Sequence, residues 1–240
     1  DDWEKFNALG VSQFGQMTAG SFMYIGPQGI VHGTNITVLN ASRKIDPKAK
    51  DMSGKIFVTA GLGGMSGAQP KASVIAKGVC IVAEINPEAT YKRHSQGWVD
   101  EVFKDLDQLI DRALIAKENK EAVSIAYDGN IVDLWEKLVE RQIKIELGSD
   151  QTSLHNPWAG GYYPVGFSYS ESNKMMVENP KRFKKEVEKT LIRHTKAINT
   201  LTKRGMYFFD YGNAFLLEAS RAGADILDKK GNFKYQSYVQ

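Results

Sequence analysis

Lys55-Ile-Phe-Val-Thr-Ala-Gly-Leu-Gly-Gly-Met-Ser-Gly67 is the stretch that decides how this chain is read. A β-branched and aromatic run around Val58 empties into glycines, and a helix-like segment follows. Strand, glycine turn and helix in that order make the phosphate cradle of a dinucleotide-binding unit. Gly61, Gly63, Gly64 and Gly67 let the backbone turn tightly and approach a pyrophosphate. The anion would rest on the helix N-terminus, where unpaired N–H groups and the helix dipole favour it. The spacing Gly61-x-Gly63-x-x-x-Gly67 departs by one residue from G-x-G-x-x-G, so the turn carries little weight alone.

A second strand adds weight. Gly78-Val-Cys-Ile-Val-Ala-Glu84 ends in a carboxylate 21 residues after Gly63, where an acid accepts hydrogen bonds from the adenosine ribose and repels a 2′-phosphate. NAD is therefore expected over NADP. The bland alternative is a glycine-rich turn in an ordinary α/β protein, followed by an exposed Glu.

The composition is that of a globular protein: 240 residues, 42% hydrophobic and 25% charged. A net charge of +3, with basic and acidic residues interleaved, gives no footprint for nucleic acid or a membrane surface. The densest basic run, Lys181-Arg-Phe-Lys-Lys185, reads as a solvated helix face. A single cysteine excludes an intramolecular disulfide and points to a reducing compartment; Cys80, inside an apolar strand, reads as a small core residue. No window approaches a membrane span and no signal-peptide pattern opens the chain, so a cytoplasmic protein is expected. The Asn-x-Ser/Thr triplets at Asn35 and Asn40 are then chance matches.

Strands alternate with helical patterns along the chain, which predicts a Rossmann-like, doubly wound α/β fold with a mostly parallel sheet and helices on both faces. The expected strands are Lys55–Ala60, Val79–Glu84, Ala122–Tyr127, Ile143–Leu147 and Met206–Phe209. Expected helices cover Ala68–Lys77, Val99–Lys117, a segment through Leu134 and Val139, Pro180–Lys203, and a short piece ending at Ala222. Residues Gly160–Ser172 read as a long loop, and such loops in compact domains are usually functional. Gly63-Gly-Met, Glu84, Gly129-Asn130, Gln151-Thr-Ser and Tyr211-Gly-Asn213 each follow an apolar strand. A parallel sheet would bring them to one carboxyl edge, where such sheets bind ligands.

Other chemistries find little support. Asp150, Ser153 and His155 have the composition of a hydrolase triad but no nucleophile elbow. His32, His94, His155 and His194 are scattered without metal-ligand spacing, so no metal is expected.

Five longer strings carry a resemblance that periodicity cannot supply. Gly15-Gln-Met-Thr-Ala-Gly20, Tyr24-Ile-Gly-Pro-Gln-Gly29, Thr59-Ala-Gly-Leu-Gly-Gly-Met-Ser-Gly-Ala-Gln-Pro70, Ser149-Asp-Gln-Thr-Ser-Leu-His155 and Phe209-Asp-Tyr-Gly-Asn213 resemble, in order, those of the urocanase (urocanate hydratase) family. The resemblance implies a lyase that hydrates urocanate to imidazolone propionate in histidine degradation. Tightly bound NAD+ serves there as an electrophile and not as a hydride carrier. It also implies that Gln16, Gly64, Met65, Ser66, Glu84, Asn130, Ile131, Gln151, Thr152, Ser153, Leu154, His155, Tyr162, Tyr163 and Tyr211 contact NAD. Ser66 stands where some members have Gly, and Ala89 where an Arg occurs, so no Arg contact is carried over.

Family members are much longer and their urocanate-binding side chains lie outside the matched strings, so no catalytic residue is assigned here. The expected organisation is residues 1–35 as a segment of the enzyme core and 36–240 as the NAD-binding domain, inactive alone and homodimeric in the full enzyme. A stand-alone NAD-binding module and an NAD-dependent dehydrogenase domain are the alternatives.

Overall fold

The computed structural model describes residues 2–9, 11 and 27–237. Gln16 lies outside them. Among the described residues, seven strands form one sheet: β1 (Ile56–Ala60), β2 (Val79–Glu84), β3 (Glu101–Phe103), β4 (Val123–Asp128), β5 (Leu147–Asp150), β6 (Tyr207–Asp210) and β7 (Gln236–Ser237). Their order is β3-β4-β2-β1-β5-β6-β7, and every pairing is parallel. The helices are α1 (Asp2–Ala8), α2 (Pro27–Ile45), α3 (Ala68–Ile75), α4 (Pro87–Ser95), α5 (Leu106–Glu118), α6 (Ile131–Glu140), α7 (Tyr169–Glu178), α8 (Pro180–Lys203) and α9 (Phe215–Arg221). This is the expected doubly wound α/β architecture.

Period-two alternation sends the central strands into two cores. Ile56, Val58, Ala60, Val79, Ile81 and Ala83 face one core, with apolar residues of α5, α6, α8 and α9. Phe57, Cys80 and Val82 face the other, with Val38 and Ala41 of α2 and Ala76 beyond α3. Phe57 stacks on Phe209 with ring centroids 6.2 Å apart. Cys80 is fully buried, and burial pushes its thiol up to about 12, the behaviour of a core residue and not of a nucleophile. In α8, Phe183, Val187, Leu191, Ile198 and Leu201 turn inward while Lys181, Arg182, Lys184 and Lys185 are exposed.

Several boundaries differ from the sequence reading. The helix expected over Val99–Lys117 is divided: Asp105 caps α5 by accepting from Gln108 N at 2.8 Å, and β3 pairs with Ile125–Tyr127 before it. The helical spacing of Val102 and Phe103 is therefore coincidental. The strand expected over Ile143–Leu147 instead occupies Leu147–Asp150. Gly148 is a poor strand former, but a Cβ there would meet Met206 Sδ at 2.8 Å and Trp135 Cη2 at 3.0 Å, so packing across the chain dictates a glycine. The expected loop over Gly160–Ser172 ends in the first turn of α7, started by a Ser168/Glu171 capping box. Helices α1, α2, α4 and α7 and strand β7 have no counterpart among the expected elements. The 35/36 boundary falls within α2, which packs along α3 and whose Thr34 hydroxyl accepts from Tyr211 Oη at 2.8 Å.

Trp135 is fully buried and its Nε1 has no partner among the described residues. Trp135→Ala should destabilise the fold by about 3–5 kcal/mol through a cavity. Trp135→Phe, which removes the unsatisfied donor with less lost volume, should cost about 1–2 kcal/mol. Urea unfolding monitored by far-UV circular dichroism measures both; equal losses would assign the indole a role other than packing.

Candidate functional site

The chain runs from β1 outward to β2 and later crosses to β5 on the other side of β1. The loops leaving β1 and β5 therefore part in opposite directions, and such a topological switch opens a crevice at the carboxyl edge of the sheet. A cleft lies there. Its walls come from the loops after β1, β2, β4 and β5 and from residues 160–163.

The β1 loop is shaped by glycine and by hydrogen bonds. Gly61 has φ +92°, and a Cβ on it would meet Ser66 Oγ at 2.9 Å and Gln151 O at 3.2 Å. Leu62 N donates to Glu84 Oε2 at 2.8 Å, and Gly63 N donates to Ser66 Oγ at 2.8 Å. The fully buried Gln69 ties the loop to β1, accepting from Thr59 Oγ1 at 2.6 Å and donating to Ala60 O and Ser66 O. Among the described residues, the N–H groups of Gly64, Met65 and Ser66 find no acceptor. Three successive amides at the entrance to α3 form the donor set that an anion requires.

Glu84 closes β2. Burial raises its carboxyl pKa, backbone N–H bonds from Asn86 and Leu62 oppose that rise, and Asp128, its register neighbour on β4, adds to it. Asn130 caps α6 by accepting from Val132 N at 2.9 Å, and its amide donates to Tyr163 O at 3.0 Å. It thereby joins the β4 loop to the segment after β5.

On the far wall, Asp150 Oδ1 accepts from Thr152 N at 3.0 Å, Thr152 Oγ1 at 2.5 Å and Asn213 Nδ2 at 2.9 Å. Burial pushes Asp150 up to about 6 despite these bonds. Asp150 Oδ2 and Gln151 Oε1 are buried acceptors without partners among the described residues. Tyr162 lines the cleft, and its hydroxyl lies 2.9 Å from Nδ1 of His194, whose ring packs beside those of Trp135 and Phe215.

Of the residues singled out from sequence, Ser66, Glu84, Asn130, Ile131, Gln151, Thr152, Ser153, Tyr162 and Tyr163 line this one cleft. Gly64 and Met65 sit in the turn beside it. Leu154 packs into the core, His155 is exposed, and the Tyr211 hydroxyl reaches Thr34 among the residues of the second core. Sequence reasoning missed Gly160 and Gly161 as cleft residues. A Cβ at Gly161 would meet Ser153 O at 2.1 Å and Asn156 O at 2.3 Å, and the paired glycines inside a long loop were the available signal. It also missed Asn213 as the support of Asp150, a pairing across 63 residues that no local pattern reveals.

Fold and cleft together define a Rossmann-like domain with its site at the switch point. The family model described as the Urocanase Rossmann-like domain matches residues 26–240, and the chain belongs to the urocanase family. It is 60% identical over 244 residues to a probable urocanate hydratase of Dictyostelium discoideum, covering 100% of this chain and 36% of that protein. The urocanate hydratases of Mus musculus and Homo sapiens are each 53% identical, again over 100% of this chain and 36% of theirs. The chain thus spans about 36% of the length of these relatives. Among the described residues, no helix is long and apolar enough to cross a membrane.

Burial holds His194 down at about 3, against an ordinary value of 6.5. Between those values the unfolded chain binds a proton that the fold excludes, so this contribution weakens stability as pH falls below 6.5. Asp150 has the opposite sign: raised from 3.8 to about 6, it contributes fully below 3.8 and loses that contribution as pH rises through 6. His194→Gln keeps an acceptor for the Tyr162 hydroxyl and removes the titration. Unfolding free energies at pH 7 and 4.5 should show the wild type losing up to about 1.4 kcal/mol per pH unit relative to the variant. Parallel pH profiles would show that His194 takes its proton inside the fold.

Proposed function

We propose that this chain is the NAD-binding domain of a urocanate hydratase, whose whole protein hydrates urocanate to imidazolone propionate in histidine degradation. One observation carries the reading: among the described residues, the acceptor-less amides of Gly64, Met65 and Ser66 stand in the turn that borders a switch-point cleft, and a strand-terminal carboxylate, Glu84, lines that cleft. The residues fit such a cofactor. The three amides would take the pyrophosphate, and Glu84 would take the adenosine ribose and disfavour a 2′-phosphate. Gln151, with its unpartnered Oε1, stands with Thr152 and Ser153 on the opposite wall, ready to accept from a donor on the ligand. Asn130, Ile131, Tyr162 and Tyr163 line the remainder of the cleft. Gln16, Leu154, His155 and Tyr211 join the site on the family resemblance alone.

When bound, NAD+ supplies a cationic, electron-accepting nicotinamide ring. The chain's own share is to bind and orient: Gln69 fixes the loop to β1, Asn130 and Tyr163 hold two loops together, and Asn213 and Thr152 hold Asp150. Residues 1–35 as part of the enzyme core and 36–240 as the cofactor domain belong to this reading, with α2 crossing the boundary. So do a cytoplasmic homodimer and a turnover that needs the remainder of the whole protein.

Native mass spectrometry of the purified chain should show added mass matching NAD, lost on denaturation, or acquired when NAD+ is supplied. Glu84→Ala should weaken NAD+ on the order of tenfold, the worth of a charged hydrogen bond, and narrow its advantage over NADP+. Unchanged NAD+ affinity in that variant would count against the placement.

A further inference from the structure

Arg93 of α4 reaches the glycine loop although it does not line the cleft. Its Nε donates to Leu62 O at 3.1 Å and its Nη2 to Gly63 O at 2.7 Å, while Nη1 donates to Gln96 Oε1 at 3.1 Å. The guanidinium lies 5.6 Å from the centre of the Trp98 ring. Among the described residues no carboxylate pairs with it, and desolvation lowers its pKa. Gly67 leaves room for it, since a Cβ at 67 would meet Arg93 Nε at 2.6 Å as well as Gly63 O at 2.7 Å.

The Leu62 residue is gripped from two sides, its N–H by Glu84 and its C=O by Arg93. Gly63 is held likewise, its N–H by Ser66 Oγ and its C=O by Arg93. With these groups fixed, the amides that follow at 64–66 remain unspent. The charge balance of the cleft raises the same residue. Among the described residues, Glu84 lines the cleft while no Lys or Arg does, so of these an anionic diphosphate would meet a carboxylate and neutral amides. The guanidinium that offsets this is the one bonded to the loop's carbonyls.

We propose that Arg93 is a positioning residue for diphosphate binding: it holds the glycine loop by two consecutive carbonyls, so that the amides of Gly64 to Ser66 stay presented to an anion, and it lends the loop positive charge. The proposal rests on the dinucleotide reading above. A guanidinium fork spans two adjacent carbonyls, whereas an ammonium bonds as a point charge, so Lys is a partial substitute.

The test measures equilibrium binding of NAD+, ADP and adenosine to the full chain, wild type, Arg93→Lys and Arg93→Gln. Arg93→Gln should weaken NAD+ and ADP about tenfold or more and Arg93→Lys about threefold, with adenosine changed less than about twofold. Hydrogen exchange at the Leu62 and Gly63 amides, which needs no ligand, should accelerate in Arg93→Gln while α3 is unaffected. Arg93→Gln binding NAD+ like the wild type, or losing NAD+ and adenosine by one factor, overturns the positioning role and leaves the dinucleotide reading intact. A wild type that binds none of the three probes overturns both.

Discussion

Burial of a parallel sheet on both faces is the constraint from which the rest follows. Where successive side chains enter one core or the other, polar groups are pushed to the strand ends. Here Glu84, Asp128, Asp150 and Asp210 terminate four strands at one edge, with Glu84 in register with Asp128 and Asp150 with Asp210. Like charges so placed are costly unless donors reach them. The donors come from the turns: Leu62 N and Asn86 N to Glu84, Thr152 N and Asn213 Nδ2 to Asp150, Gly212 N to Asp210, and Lys104 Nζ 3.6 Å from Asp128. The loops around the cleft take their shapes largely from meeting these acids.

How much of this was legible in the sequence depended on how local the cause was. The glycine loop and Glu84 were legible because conformational freedom at Gly61 and a carboxylate ending β2 are written in contiguous residues. The convergence of polar tripeptides on one edge was legible because parallel pairing follows from alternating strands and helices. Strand β5 was placed too early because its start is fixed from outside: Gly148 is required by Trp135 and Met206, and Glu146, just before it, accepts from Ile56 N at 2.9 Å. Strand β3 is short and half-buried, and its residues mimic a helical repeat. His194 stood in the sequence as one of four scattered histidines; its partner Tyr162 lies 32 residues away, and only the folded chain brings the two together.

The cleft's two sides differ in what they leave open, and that difference bears on the ligand. Among the described residues, the unpartnered groups on the β1 side are donors, the amides of Gly64 to Ser66; on the β5 side they are acceptors, Gln151 Oε1 and, behind it, Asp150 Oδ2. A simple anion would satisfy the first and leave the second buried and unpaired, at a cost of about 1–3 kcal/mol. A ligand with phosphates in its middle and hydrogen-bond donors at its ends satisfies both sides, with Glu84 accepting at one end and Gln151 at the other. The supports behind each wall, Gln69 under the loop and Asn213 with Thr152 under Asp150, are hydrogen bonds made within the chain itself. Walls held in this way from behind leave little of a ligand's binding free energy to be spent on ordering the site.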